Sequence, residues 1–208
     1  MSNCEKQCFN PYLPNYEYVP DGEPHVFDGR IYVYGSHDLF NGKGFCLGDY
    51  VCWSCPDDDV KDWRYEGVIW RRSDDPENKN GKMPMYAPDV CRGYDGRYYL
   101  YYFVSKKGII GVAVCDTPAG KYEFYGYVRH TDGTVYGRRK GDLFQFDPGV
   151  FAENGKVYLY TGFAPVFPFF GAKKYADKGP VCAVLKDDMI TVESVRLIGG
   201  ESRKSGKG

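Results

Sequence analysis

The sequence predicts an all-β protein assembled from repeated four-stranded sheets, and three observations carry that prediction. An aromatic strand motif returns three times, a hairpin pattern follows each copy, and helical periodicity is nearly absent. The motif reads Asp28-Gly29-Arg30-Ile31-Tyr32-Val33-Tyr34, then Asp95-Gly96-Arg97-Tyr98-Tyr99-Leu100-Tyr101, then Asn154-Gly155-Lys156-Val157-Tyr158-Leu159-Tyr160. Each copy is a turn dipeptide leading into an alternating strand. The composition agrees: 20 Tyr and 13 Phe favour half-buried pleated surfaces, while 26 Gly and 13 Pro supply frequent turns.

The elements follow in order within each module. An acid-bearing strand comes first and the Tyr alternation second; two further strands then form a hairpin. In the first module Tyr50-Val51-Cys52-Trp53-Ser54 leads through Asp57-Asp58-Asp59 to a strand from Trp63 to Ile69. In the second, Gly111-Val112-Ala113-Val114-Cys115 passes a Pro118-Ala119-Gly120 turn to Tyr122–Val128. In the third, Pro180–Val184 leads through Asp187-Asp188 to Thr191–Val195. The module glycines Gly29, Gly96 and Gly155 lie 67 and then 59 positions apart. Four-stranded units at such spacing read as β-propeller blades, the alternative being an ordinary meander that reuses Asp-Gly turns.

No linker divides the chain, so residues 1–208 read as a single domain, with 1–9 and the polar, glycine-rich stretch 199–208 as flexible ends. Propellers close with roughly four to eight blades, and this chain supplies about three. It is therefore expected to be an incomplete propeller, a fragment of a longer protein. Copies that complement one another are the alternative, with self-association through unpaired blade edges.

A formal net charge of −1 with no basic stripe argues against nucleic acid as the partner. No apolar run approaches the roughly 20 residues of a membrane span, and the first residues lack a signal-type apolar segment. The expectation is a cytoplasmic protein without a membrane partner. Among eight cysteines, Cys52, Cys91, Cys115 and Cys182 sit beside valines and read as small buried hydrophobes. Cys4 and Cys8 lack a nearby second ligand pair, so no metal site is assigned.

An acidic residue precedes each turn: Asp21 stands eight before Gly29, Asp89 seven before Gly96, and Asp147 eight before Gly155. Single aspartates often cap turns. Three at one repeat phase instead suggest carboxylates aimed from successive blades at a shared axis. Acids brought together must spread their pKa values, which provides a base and a proton donor. Inverting glycosidases use this arrangement, with the two carboxyl groups roughly 6.5–9.5 Å apart.

Asp21 with His25-Val26-Phe27, Tyr86-Ala87-Pro88-Asp89-Val90, and Phe146-Asp147-Pro148-Gly149-Val150-Phe151 together resemble the family 43 glycoside hydrolases. The resemblance runs from about Asn10 to Ile198. It implies a five-bladed propeller that hydrolyses arabinose- or xylose-containing plant polysaccharides with inversion. It implies no required cofactor, although some relatives hold calcium on the channel axis. Carried over by position, Asp21 resembles the general base and Asp147 the second aspartate that tunes the acid. Asp89 matches a pocket-lining position, and Tyr86 stands where the family usually has Trp as a sugar platform.

The chain departs from the family pattern in two places. Gly22 follows Asp21 where the family has Pro, and Glu23, on the same strand face, competes with Asp21 for the base role. The family's general acid, a Glu from a fourth blade, has no matching segment; Glu201 lies among Gly, Lys and Ser. The chain alone is therefore expected to be inactive or nearly so. His37 and Asp38, at the end of the first Tyr strand, are candidates to touch a sugar hydroxyl. The patch Arg138-Arg139-Lys140 reads as solvated, and Phe163, Phe167, Phe169 and Phe170 as a pocket wall or an uncovered surface. Two other classes stay open: a non-catalytic carbohydrate-binding propeller, and a protein-interaction propeller that has no use for aligned acids.

Overall fold

The structure, a computed structural model, describes residues 11–105, 107–162 and 180–198. Cys4, Cys8, Glu201 and the cluster Phe163, Phe167, Phe169 and Phe170 lie outside the described residues.

Three four-stranded sheets appear, each an antiparallel meander paired in chain order. The first holds β1 (Glu23–Phe27), β2 (Arg30–Gly35), β3 (Tyr50–Pro56) and β4 (Arg64–Trp70). The second holds β5 (Met85–Arg92), β6 (Tyr98–Val104), β7 (Ile109–Cys115) and β8 (Glu123–Tyr127). The third holds β9 (Gly149–Glu153), β10 (Lys156–Thr161), β11 (Val181–Leu185) and β12 (Val192–Leu197). Strand β5 lies against both β1 and β9, so the first strands of the three sheets are neighbours.

The turns explain the hairpins, and one of them differs. Asp28-Gly29 (φ 48° and 79°) and Asn154-Gly155 (φ 52° and 74°) are both left-handed pairs. Two such residues make the turn whose twist matches the flanking strands. The second sheet has a longer connection, because Arg92 pairs with Tyr98 and residues 93–97 form the loop. That loop closes on its own bonds, with the Gly93 amide donating to Arg97 O at 2.8 Å and the Gly96 amide to Gly93 O at 3.0 Å.

The core consists of two seams between sheets, and β6 serves both. All seven of its residues are buried, which accounts for its unbroken aromatic and aliphatic run. Tyr98, Leu100 and Tyr102 pack with Tyr32, Tyr34, Tyr50 and Trp70 of the first sheet. Tyr99, Tyr101 and Phe103 pack with Val157, Leu159, Ala183 and Leu185 of the third. Period-two alternation thus divides one strand between two cores. Buried phenols find acceptors across the seams: Tyr34 donates to Pro118 O at 2.8 Å and Tyr101 to Met189 O at 2.6 Å. Cys52, Cys91 and Cys182 are buried as expected of small hydrophobes, while Cys115 is only partly covered.

On the outer face of the third sheet, Tyr158 and Tyr160 occupy the places that Tyr32 and Tyr34 hold in the first. There they stack on Phe151, which is 41% exposed.

Candidate active site

A cavity of about 320 Å³ lies where the three sheets meet, lined by Pro20, Asp21, Phe45, Cys46, Tyr86, Phe146 and Asp147. Asp21 sits two residues before β1 and Asp147 two before β9, so both carboxylates leave the backbone just upstream of a first strand. Both adopt positive φ, 54° and 39°. That region is uncommon for residues bearing a Cβ, and Asp tolerates it better than most. Tyr86, from β5, forms the floor. Its ring stacks on Phe103 at 5.7 Å and lies 5.5 Å from Phe45 and 5.8 Å from Phe146. Beneath it the Tyr50 hydroxyl donates to Tyr86 O at 2.5 Å.

The electrostatics of the cavity separate its two acids. Burial, and then the charge of Asp21, push the Asp147 carboxyl up to about 7, against the opposing hydrogen bond from the Ala87 amide. A carboxyl that keeps its proton near neutrality beside a second carboxylate is poised for acid–base work. Burial likewise pushes the Cys46 thiol up to about 11, so it is a neutral donor in this setting.

Asp89 departs from the sequence expectation. It does not line the cavity; it is 5% exposed, and both of its oxygens are engaged. Oδ1 meets His25 Nε2 at 2.6 Å and accepts from the Val90 amide at 2.7 Å, while Oδ2 accepts from the Val150 amide at 2.5 Å. One carboxylate thereby ties β1, β5 and β9 together. Strand register gives the reason. Asp89 pairs with Tyr101 as Glu23 pairs with Tyr34 and Gly149 with Tyr160. The residue in phase with Asp21 and Asp147 is Ala87, two positions earlier. Two residues along a strand keep the same face but move the side chain by about 6.8 Å. The seven-residue spacing to Gly96 reflected the longer turn, and the three acids do not share one phase.

His37 and Asp38 are also placed away from the cavity lining. His37 Nε2 lies 3.4 Å from Glu17 Oε2, which also accepts from Trp53 Nε1 at 3.3 Å. The pair pins the segment before β1 to the first sheet. Asp38 Oδ1 accepts from the Cys46 amide at 2.5 Å. Glu23 is not a lining residue either; its raised pKa comes from burial first and from Asp89 second, with Asp21 the weakest influence. Sequence reading did not single out Phe45 and Cys46. They come from a glycine-rich loop whose path depends on tertiary contacts, and no local pattern announces it. Phe146 adjoins Asp147 in the quoted motif, and its place next to a candidate acid was the available signal.

Comparisons with known proteins bear on the family and the fold. Residues 24–193 match the glycosyl hydrolases family 43. A xylosidase/arabinosidase of Thermoclostridium stercorarium is 59% identical over 205 residues, covering 98% of this chain and 42% of that protein. Xylosidase/arabinosidase 43A of Humicola insolens is 33% identical over 160 residues, 70% of this chain and 43% of its own length. The chain therefore spans less than half of these relatives. Among solved structures, a β-xylosidase/α-arabinofuranosidase from a compost metagenome, in complex with xylotriose and calcium-free, superposes with a TM-score of 0.65 at 26% identity. That match covers 93% of this chain and 62% of the other. A Xanthomonas citri enzyme complexed with xylotriose gives 0.68 at 25% identity, over 90% of this chain and 57% of that one. Such neighbours are five-bladed propellers, and the three sheets seen here are part of that architecture. Motif order, sheet repeat and sequence match converge, and the chain belongs to family 43 of the glycosyl hydrolases.

Proposed function

We propose that the cavity between Asp21 and Asp147 receives a sugar unit of an arabinose- or xylose-containing plant polysaccharide and supplies part of an inverting hydrolysis. The observation that carries this reading is the pair of carboxylates in one cavity, with Asp147 raised to about 7 by burial and by Asp21. Asp21, as the base, takes a proton from water as that water attacks the anomeric carbon. Asp147 orients the sugar and governs the charge at the site. Tyr86, Phe45 and Phe146 offer ring faces to the apolar side of a sugar. The xylosidase/arabinosidase identity of the sequence relatives and the xylotriose complexes of the structural neighbours support this substrate class.

Among the described residues no third carboxylate lines the cavity. With Asp147 read as the aspartate that tunes the site and not as the proton donor, the described residues supply no separate general acid, a contribution typically worth about 10²–10⁴-fold. Among the described residues no group of three His, Cys, Asp or Glu side chains is placed to hold a metal ion, and no step is routed through one. The 208-residue chain is thus read as a saccharide binder with little hydrolytic turnover of its own. Calorimetry with xylotriose should show binding that Asp21→Ala combined with Asp147→Ala abolishes. Ready release of arabinose or xylose from aryl glycosides by the purified chain would overturn the low-turnover part. Binding indifferent to both substitutions would overturn the site.

A further inference from the structure

The connection between β2 and β3, residues 36–49, brings Phe45 and Cys46 to the cavity. Its neck is closed by backbone bonds: the Asp38 amide donates to Tyr18 O at 2.8 Å and the Gly48 amide to His37 O at 2.6 Å. Gly48 has no room for a side chain, since a Cβ would meet His37 O at 2.7 Å and His37 Cβ at 2.8 Å. These bonds fix the neck and leave the rest of the loop to other contacts. Just beyond the neck, four residues before β3, Cys46 adopts φ 55°, a left-handed conformation that a Cβ disfavours. Such a residue persists only where its surroundings over-determine it. Two contacts do so: the Cys46 amide donates to Asp38 Oδ1 at 2.5 Å, and its thiol donates to Ser36 Oγ at 3.3 Å. The same sulfur lies 4.0 Å from Asp21 Oδ2. Phe45, the preceding residue, is 61% exposed yet stands 5.5 Å from the Tyr86 ring. So little burial does not by itself hold a side chain in place.

We infer that Asp38 is a positioning residue for saccharide binding, its carboxylate holding Cys46 in the left-handed turn that sets Phe45 opposite Tyr86 and the thiol beside Asp21. The inference rests on the saccharide reading of the cavity and deepens it. Asp38 is not among the residues lining the cavity; it acts through the loop. A carboxylate accepting a backbone amide is among the stronger hydrogen bonds, and a local one of this kind can decide a loop's conformation.

The test compares Asp38→Asn, which keeps an oxygen for the Cys46 amide, with Asp38→Ala, which does not. Two readouts are taken on the whole chain: xylotriose affinity by calorimetry, and the alkylation rate of Cys46 by peptide mapping, with Cys52 as the buried reference. Asp38→Ala should weaken xylotriose binding about tenfold and speed Cys46 labelling about tenfold, while Asp38→Asn stays within about threefold of the parent on both. Unchanged binding in Asp38→Ala, or an Asp38→Asn as weak as Asp38→Ala, would overturn the role. So would faster labelling shared equally by Cys52, because that reports global opening. Should the parent chain fail to bind xylotriose, the saccharide reading falls by itself; equal Cys46 labelling in all three proteins would then separately remove the loop clamp.

Discussion

Two aspartates of this molecule, Asp89 and Asp147, show how one side-chain type is put to opposite uses at adjoining strands. Asp89 sits in the wall between the first strands and receives two backbone amides and a histidine. Asp147 sits in the cavity with one amide from Ala87 and a second carboxylate nearby. The wall surrounds its charge with donors; the cavity surrounds its charge with burial and repulsion. Structure is stabilised where charge is satisfied, and chemistry becomes available where it is left partly unsatisfied.

Substitution at Asp89 should break this contrast most severely. Asp89→Ala leaves the Val90 and Val150 amides and His25 without their acceptor inside the seam. Loss of one buried charged partner costs about 3–5 kcal/mol, which urea unfolding would register as a lower midpoint at unchanged slope. A change below about 1 kcal/mol would show that the wall does not depend on this carboxylate.

Asp147→Asn should act in the other direction. Its carboxyl titrates near 7 in the folded chain because of burial and Asp21, well above the ordinary value of about 3.9 for an unfolded Asp. The folded state therefore holds the proton more tightly, and this group withdraws stability as pH rises from about 4 through 7. After discounting for partial exposure, the amide variant should be more stable at pH 8 by on the order of 2 kcal/mol, with little difference at pH 4. Unfolding curves of parent and variant at the two pH values check this; parallel pH profiles would contradict it.

The smallest effect is expected between the two regions. Tyr50 belongs to the seam yet donates to Tyr86 O under the cavity floor. Tyr50→Phe should cost about 1 kcal/mol in thermal unfolding. It should also loosen the ring of Tyr86, read as a weaker affinity for xylotriose.

Much of this architecture could be read in the chain itself. Tyr32 and Tyr34 alternate because they fill one seam, Tyr99 and Tyr101 because β6 sends alternate residues into two, and Asp28-Gly29 and Asn154-Gly155 make tight turns with their left-handed backbone. Asp21 and Asp147, at equal spacing from their turns, do meet in one cavity. Asp89 misled because spacing along the sequence is not register across a hairpin, and residues 93–97 make a longer turn than their counterparts. Phe45 and Cys46 were invisible for a different reason. Their loop is positioned by Asp38 and Tyr18, and no local periodicity encodes that.

The longer bend joining β5 to β6 has a wider implication for architectures made of copies. In such molecules hairpin length acts as a vernier. Adding a residue at a bend slides every upstream side chain relative to the neighbouring strands without altering any of them. A carboxylate at nearly the same distance before its bend can thus stand in the wall of one module and in the cavity of another, as Asp89 and Asp147 do. The number of carboxylates facing the mouth then depends as much on the rim's bends as on the residues that bear the charge.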